Sequence, residues 1–240
     1  MLVETLRILK RLEKCPTFNL ATLSNIIKKD PAYTKVYLNR LRKKGLVRKL
    51  QRNVYTTLED PFIVASRIIW PSYISLWSAL RYHDLTEQLP NEISVLTTRA
   101  KSRRVIAMAN TRIVFERISQ SYFFGFSKIR AADFEVFVAE PEKAVIDAVL
   151  LRRISVSEIH SMLKDNLKAL STERLIGYVQ RTRNKALAKR FGWMLESLGC
   201  DAGELEGMTY KTVIPLDYAR PASGVKDERW GVIVNVGARG

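Results

Sequence analysis

Asp30-Pro31 and Gly45 bracket the stretch that most constrains how this chain folds. Asp30 offers an acceptor side chain at a cap position, Pro31 brings a pre-set φ to the first helical position, and Gly45 suits a left-handed C-cap, so a helix is predicted between them. At about 100° per residue, Thr34, Tyr37, Leu38 and Leu41 share one face of that helix, while Ala32, Lys35, Val36, Asn39, Arg42 and Lys43 share the other. The first face is expected to pack and the second to look outward. Two shorter amphipathic patterns come before it. Leu2, Leu6, Leu9 and Leu12 recur with Arg7, Lys10 and Arg11 between them and stop before Pro16, and Leu20, Leu23, Ile26 and Ile27 mark a second helix. After Gly45, Leu46 to Leu50 and Val54 to Thr57 read as strands joined by a Gln51-Arg52-Asn53 turn.

Charge is concentrated in the same region. The chain of 240 residues carries a formal +16, with a pI near 10.0. Residues 1–57 hold 14 basic side chains against Glu4, Glu13 and Asp30, a net +11, which leaves +5 of the +16 for the other 183 residues. Such asymmetry points to a polyanionic partner. With 47% apolar residues the chain can bury a core, so disordered, collagen-like and disulfide-framework classes are excluded. Cys15 and Cys200 lie far apart with no CxxC or histidine cluster beside them, which suggests neither a zinc module nor a secreted scaffold. The N-terminus lacks the apolar core of a signal peptide, and the oiliest later stretch, Pro61 to Leu80, is interrupted by Arg67 and Pro71. A cytoplasmic protein with no membrane partner is expected.

Three helices, a basic outer face on the third, Gly-Leu-Val and a cationic hairpin together resemble a winged helix-turn-helix, and the run LNRLRKKGLVRKLQRNVYT is similar to that family's recognition helix and wing. A helix fits the major groove, where outward side chains near its N-terminus meet base edges, while cations at its end and on the hairpin meet phosphates. Lys35, Val36 and Asn39 are therefore the candidate base readers: Lys can donate to guanine, Asn can pair with adenine and Val can touch a thymine methyl. Arg40, Arg42, Lys43, Arg48, Lys49 and Arg52 are the candidate backbone clamps. If about six cations neutralise phosphates, log K falls against log salt with a slope of about −5.

Glu59-Asp60-Pro61 ends the basic pattern. The expected fold is α+β: a winged helix-turn-helix over 1–60 and a larger mixed α/β domain over 61–240. Helices are predicted over Pro61 to Ile69, Ile74 to Tyr82, Pro141 to Leu151, Val156 to Leu163, Thr172 to Thr182 and Ala186 to Leu198. Strands are predicted over Glu92 to Thr97, Arg112 to Ile118, Tyr122 to Ile129, Phe134 to Ala139, Tyr210 to Pro215 and Gly231 to Val236. Within the larger segment, YISLWSALRYHDLTEQLPNEISVLTT, YFFGF, AEPEKAVIDAV, ALAKRFGWMLESLG and RWGVIVNV occur in the order found in AbiEi-like antitoxins of type IV, abortive-infection toxin-antitoxin systems, and the chain resembles that family from Tyr73 to Val236. Asp84 departs from the pattern, where glycine is expected after the histidine, and puts the local turn in doubt. The resemblance implies a transcriptional regulator that represses its own operon by binding inverted repeats in the promoter, as a monomer or homodimer. It also implies that the larger domain counters a nucleotidyltransferase-like toxin, directly or through a shared target.

The remaining conspicuous residues have plainer expectations. His83 follows an amphipathic helix and is expected as a partly buried structural histidine. Glu140-Pro141-Glu142-Lys143 reads as a helix opening with acids at the positive end of the dipole. Tyr122, Phe123, Phe124 and Phe126 are expected to fill a core with Trp70, Trp77 and Trp193. Arg181, Arg183, Lys185, Lys189 and Arg190 read as a solvated basic flank. No phosphate loop, GxGxxG, HExxH or GxSxG pattern is present, and His83 and His160 are the sole histidines, so no catalytic residues, cofactor or metal are expected. A nuclease or nucleotidyl-transferring enzyme using Asp133 and Glu135, or a ligand-responsive regulator, are the alternatives.

Overall fold

The computed structural model describes residues 2–89, 91–100 and 104–236. Its first elements follow the sequence closely: α1 (Leu2–Leu12), α2 (Leu20–Ile27), α3 (Pro31–Lys43), then a hairpin of β1 (Arg48–Gln51) and β2 (Val54–Thr56). Each boundary has a local cause. Asn19 caps α2 by accepting from Thr22 N at 2.8 Å, and Asp30 caps α3 by accepting from Tyr33 N at 2.9 Å. Gly45, at φ 73°, closes α3 with Gly45 N to Arg42 O and Leu46 N to Leu41 O, both 3.0 Å. Phe18, between α1 and α2, exchanges two 2.9 Å backbone bonds with Tyr55, so β2 has a partner on each side. Ile8, Leu12, Phe18, Leu23, Leu38, Leu41 and Val47 form the core beneath. The buried stripe of α1 is centred on Ile8 and Leu12, with Thr5 and Leu9 half-buried, and Leu6 is 54% exposed. Leu6 shares the predicted leucine pattern but lies about 200° around the helix from Ile8, so it cannot reach the same core.

The chain then forms α4 (Pro61–Ile68), β3 (Ser72–Ser75), α5 (Leu76–Tyr82), β4 (Glu92–Thr97), β5 (Val105–Met108), β6 (Thr111–Arg117), β7 (Phe126–Ala131) and β8 (Phe134–Ala139). These strands make a six-stranded sheet in the order β5-β6-β4-β3-β8-β7. The helix predicted from Ile74 begins instead at Leu76. Ser72 to Ser75 are all buried, as a central strand covered on both faces is, so Ser-Tyr-Ile-Ser shows no polar and apolar alternation to mark it as a strand. Tyr122 lies in a 3-10 turn, and the strand predicted from it starts at Phe126, after Gly125 at φ 67°. β5, with Ala and Met among its four residues, carried no strand signal. At Asp84 the doubtful turn is kept: its φ is 55°, Asp84 N donates to Arg81 O at 3.1 Å and Leu85 N to Leu80 O at 2.9 Å. Aspartate occupies the left-handed position that glycine takes with least strain.

Further along lie α6 (Pro141–Leu150), α7 (Val156–Asn166), α8 (Thr172–Thr182) and α9 (Lys185–Ser197), followed by β9 (Ile214–Pro215), β10 (Val225–Asp227) and β11 (Val232–Val234). These last strands form a small sheet, β11 antiparallel to β10 and parallel to β9. The chain gathers into two compact units, one of Met1–Ile74, Pro90–Ser119 and Lys128–Val138, the other of Ser75–Leu89, Gln120–Ser127 and Ala139–Gly240.

The interior of the second unit is unusually ionic. Lys143 and Asp147, one helical turn apart on α6 and both fully buried, form an ion pair, and the Ser75 hydroxyl donates to the other Asp147 oxygen at 2.8 Å. Burial pushes the Lys143 ammonium below its ordinary value against the opposing pull of Asp147. Glu140 precedes α6 without capping it, because its carboxylate is held by the Tyr178 hydroxyl; Glu142 is buried and accepts from Ser171 N at 2.8 Å. Burial, reinforced by that Glu140 bond, raises the Tyr178 hydroxyl to about 12.

Lys189 and Arg190 correct the reading of a solvated flank: both are buried. Lys189 Nζ donates to Thr212 O at 2.6 Å and Arg190 Nε to Leu216 O at 2.9 Å, fastening the final segment to α9, while Arg181, Arg183 and Lys185 stay exposed. Gly192 completes the clamp, since a Cβ there would stand 2.1 Å from the Trp230 ring. Among the four tryptophans it is Trp230 that is fully buried. Trp70 is 54% exposed against Phe137, and Trp77 and Trp193 are half-buried, so the expected aromatic core reduces to Phe124 packed on Tyr178.

Two stability outcomes follow. Gly192→Ala is expected to cost about 1–3 kcal/mol or more in denaturant unfolding, because the indole has nowhere to move. Lys143→Met alone is expected to cost about 3–5 kcal/mol by stranding Asp147, and Lys143→Met with Asp147→Ala to recover part of that loss. Equal losses for single and double variants would show that the pair matters only through packing volume.

Candidate nucleic-acid interface

Helix α3 is two-sided in the way its cap and spacing require. Thr34 is fully buried, Leu38 and Leu41 are 2% exposed and Tyr37 is half-buried, with its hydroxyl donating to Thr5 Oγ1 at 3.3 Å. Packing of those side chains leaves Lys35, Val36, Asn39, Arg40, Arg42 and Lys43 exposed, and Val36 shows 52% of its surface to solvent. Arg48, Lys49 and Arg52 on the hairpin are exposed as well. All nine predicted residues therefore sit on the outer surface of one helix and one hairpin. None of their seven cations is ion-paired among the described residues.

The hairpin is held in place by its own turn. Register shifts between Lys49 and Gln51, and Asn53, at φ 55°, accepts from Leu20 N at 3.0 Å, tying the turn to the start of α2. Arg52, next to it in the turn, is exposed. On α3, Arg42 donates to Asn39 Oδ1 at 3.3 Å, so the Asn39 amide nitrogen is the group left to a partner until that bond opens. The Tyr33 N–H bond holds the Asp30 carboxyl below its ordinary value, so this acid at the head of the basic helix is ionised and engaged.

Sequence reasoning missed Tyr33 and Lys44. Tyr33 is 48% exposed in the first turn of α3 and stacks on Tyr37, with centroids 6.4 Å apart. Its place three residues before Val36 is the available signal. Lys44 is exposed at the C-cap, where a cation suits the negative end of the helix dipole.

The other candidates are otherwise engaged. His83 is half-buried with Nε2 2.8 Å from Ala139 O, the structural role expected of it. The Ser197 hydroxyl donates to Met194 O at 2.8 Å, so its oxygen is an acceptor for His160 Nε2 at 2.9 Å and not an activated nucleophile. Asp133 pairs with Arg130 at 3.9 Å and Glu135 with Lys128 at 3.1 Å, both on the exposed β7–β8 hairpin. Among the described residues no three His, Cys, Asp or Glu side chains converge to hold a metal ion. Cys15 and Cys200 are free, and no helix among the described residues is long and apolar enough to cross a membrane.

Against known proteins, the sequence matches no family model and no curated protein. The geometry of α3 and the β1–β2 hairpin carries the functional reading.

Because the Asp30 carboxyl is lowered in the folded chain, its capping contribution is present at neutral pH and is lost as pH falls below about 4. Thermal melts are expected to show a larger loss of stability between neutral pH and pH 3 for the wild type than for Asp30→Asn, whose cap carries no charge. Identical pH profiles would remove this role.

Proposed function

We propose that the protein is a cytoplasmic DNA-binding regulator whose N-terminal segment acts as a winged helix-turn-helix. The observation that carries this reading is the outward placement of Lys35, Val36, Asn39, Arg40, Arg42, Lys43, Arg48, Lys49 and Arg52 from one helix and one hairpin, above a core that fixes their direction. An α-helix with side chains is about 10–12 Å across and the major groove about 12 Å wide, so α3 can enter along its exposed side. Lys35, Val36 and Asn39 then meet base edges, while Arg40, Arg42 and Lys43 near the helix end, with Arg48, Lys49 and Arg52 on the hairpin, meet phosphates.

The resemblance to AbiEi-like antitoxins extends the proposal. In that reading the protein represses its own operon through promoter inverted repeats, binding as a monomer or homodimer. The rest of the chain counters a nucleotidyltransferase-like toxin, directly or through a shared target. Support comes from where the resembling segments meet: Ser75 of YISLWSAL bonds Asp147 of EKAVIDAV, and Gly192 of RFGW packs on Trp230 of RWGVIVNV. Motifs distant in sequence are thus one interior.

Footprinting of the upstream region with the full chain tests the reading. Asn39→Ala is expected to cost about 1–3 kcal/mol on the cognate site and to blur preference at one base pair, whereas Arg52→Ala weakens all sequences alike and lowers the salt slope by about one. Equal losses for both on arbitrary DNA would refute the division between reader and clamp, and no upstream protection at all would refute the regulator.

A further inference from the structure

Most of the net positive charge outside the first 57 residues falls in one short run of sequence. Residues 98–104 contain Arg99, Lys101, Arg103 and Arg104 and no acid, +4 of the +5 that the rest of the chain carries. Lys101 and Arg103 fall outside the described residues. Topology decides where the other two go. β4 and β6 are parallel, with Thr97 paired to Arg117, so both strands finish at the same end of the sheet. β5 runs antiparallel to β6, which brings its N-terminal side to that end too, and there the Arg104 carbonyl accepts from Phe115 N at 2.8 Å. Arg99 N donates to Thr97 Oγ1 at 3.2 Å, just past the end of β4.

Arg99, Arg104 and Arg117 are therefore gathered by strand direction, and all three are exposed. No carboxylate partner of theirs is recorded among the described residues. Glu116, the nearest acid in sequence, alternates to the opposite face of β6. At the far end of the same strand, by contrast, Arg112 is paired with Glu92 at 3.3 Å. The cluster is also close to the basic hairpin, because β1 packs against β5 within the same unit. A four-residue strand spans about 13 Å, so the loop end of β5 stands within about four base pairs' length of any contact with β1.

We propose that Arg99, Arg104 and Arg117 form a second phosphate-binding surface for duplex DNA, continuing past the hairpin the track begun by α3, β1 and β2. The proposal rests on the DNA-binding reading above. Guanidinium groups suit phosphate bidentately, and a surface made of such groups on a rigid sheet end adds affinity and orientation without sequence preference.

Anisotropy titrations of the full chain with a labelled 30-base-pair duplex of arbitrary sequence, from about 50 to 300 mM salt, decide the matter. The Arg99→Gln, Arg104→Gln, Arg117→Gln triple variant is expected to lose about 2–3 from the slope of log K against log salt. A control variant with Arg48, Lys49 and Arg52 all changed to Gln should lose a similar amount. If the sheet variant keeps the wild-type slope while the hairpin variant loses it, the second surface is refuted and the first stands. If the wild type shows no salt-dependent binding to duplex at all, the DNA-binding reading itself fails. Should the triple variant melt early by circular dichroism, Arg99→Gln and Arg117→Gln singly are each expected to lower the slope by about one.

Discussion

Leu38 and Leu41 decide which way α3 faces. With Thr34 they occupy the N-terminal core beside Leu12 and Leu23, and rotating the helix to bring Lys35 or Asn39 inward would bury a charge or an amide in place of a leucine. Burying such a group without partners costs several kcal/mol, whereas each leucine gains about 2 kcal/mol or more by staying covered. The direction of the basic side is thus set by apolar packing, and the candidate interface inherits its rigidity from the core below it. Gly45 and the Phe18–Tyr55 bridge then fix how the hairpin leaves that core.

The second unit handles charge in the opposite manner. Lys143, Asp147, Lys189, Arg190 and Asp217 are all buried, and every one has a specific polar partner. Asp217 shows how the cost of burial is offset. Burial works against its charge, but the hydroxyl and amide of Ser157 and the amide of Ala219 outweigh it and hold the carboxyl below its ordinary value. Asn235 then accepts from Asp217 N and donates to Asp217 O, both at 2.8 Å, fixing the end of the described chain. Buried ion pairs of this kind are poor sources of net stability but penalise misplacement severely, so they specify one arrangement of α6, α9 and the closing strands. The segments that carry the family resemblance are rich in these groups. Within them Lys143, Asp147, Lys189 and Arg190 serve the interior of the fold, each held by a specific polar partner.

Local chemistry made much of the molecule legible. Asp30-Pro31 and Gly45 each announced a helix boundary that the structure keeps. The strands Glu92–Thr97 and Phe134–Ala139 were readable from their β-branched and aromatic residues. Other elements were not. β3 looks like the first turn of a helix because a strand buried on both faces loses its alternation, and α1 buries Ile8 where its leucine pattern favoured Leu6. Lys189 and Arg190 belong to a run of cations that looks like solvated surface. Their partners are carbonyls more than 20 residues away, which no local pattern can announce.

The amino-acid sequence by itself determined the helices, the hairpin and the gathering of cations at the amino end, because caps, periodicity and charge are properties of neighbours along the chain. Tertiary structure alone decided which cations are surface and which are internal struts, and which distant arginines stand together at one end of a sheet. Burial and strand direction are relations between segments, and the free energy of a charged side chain depends on the carbonyls, carboxylates or water that those relations bring to it.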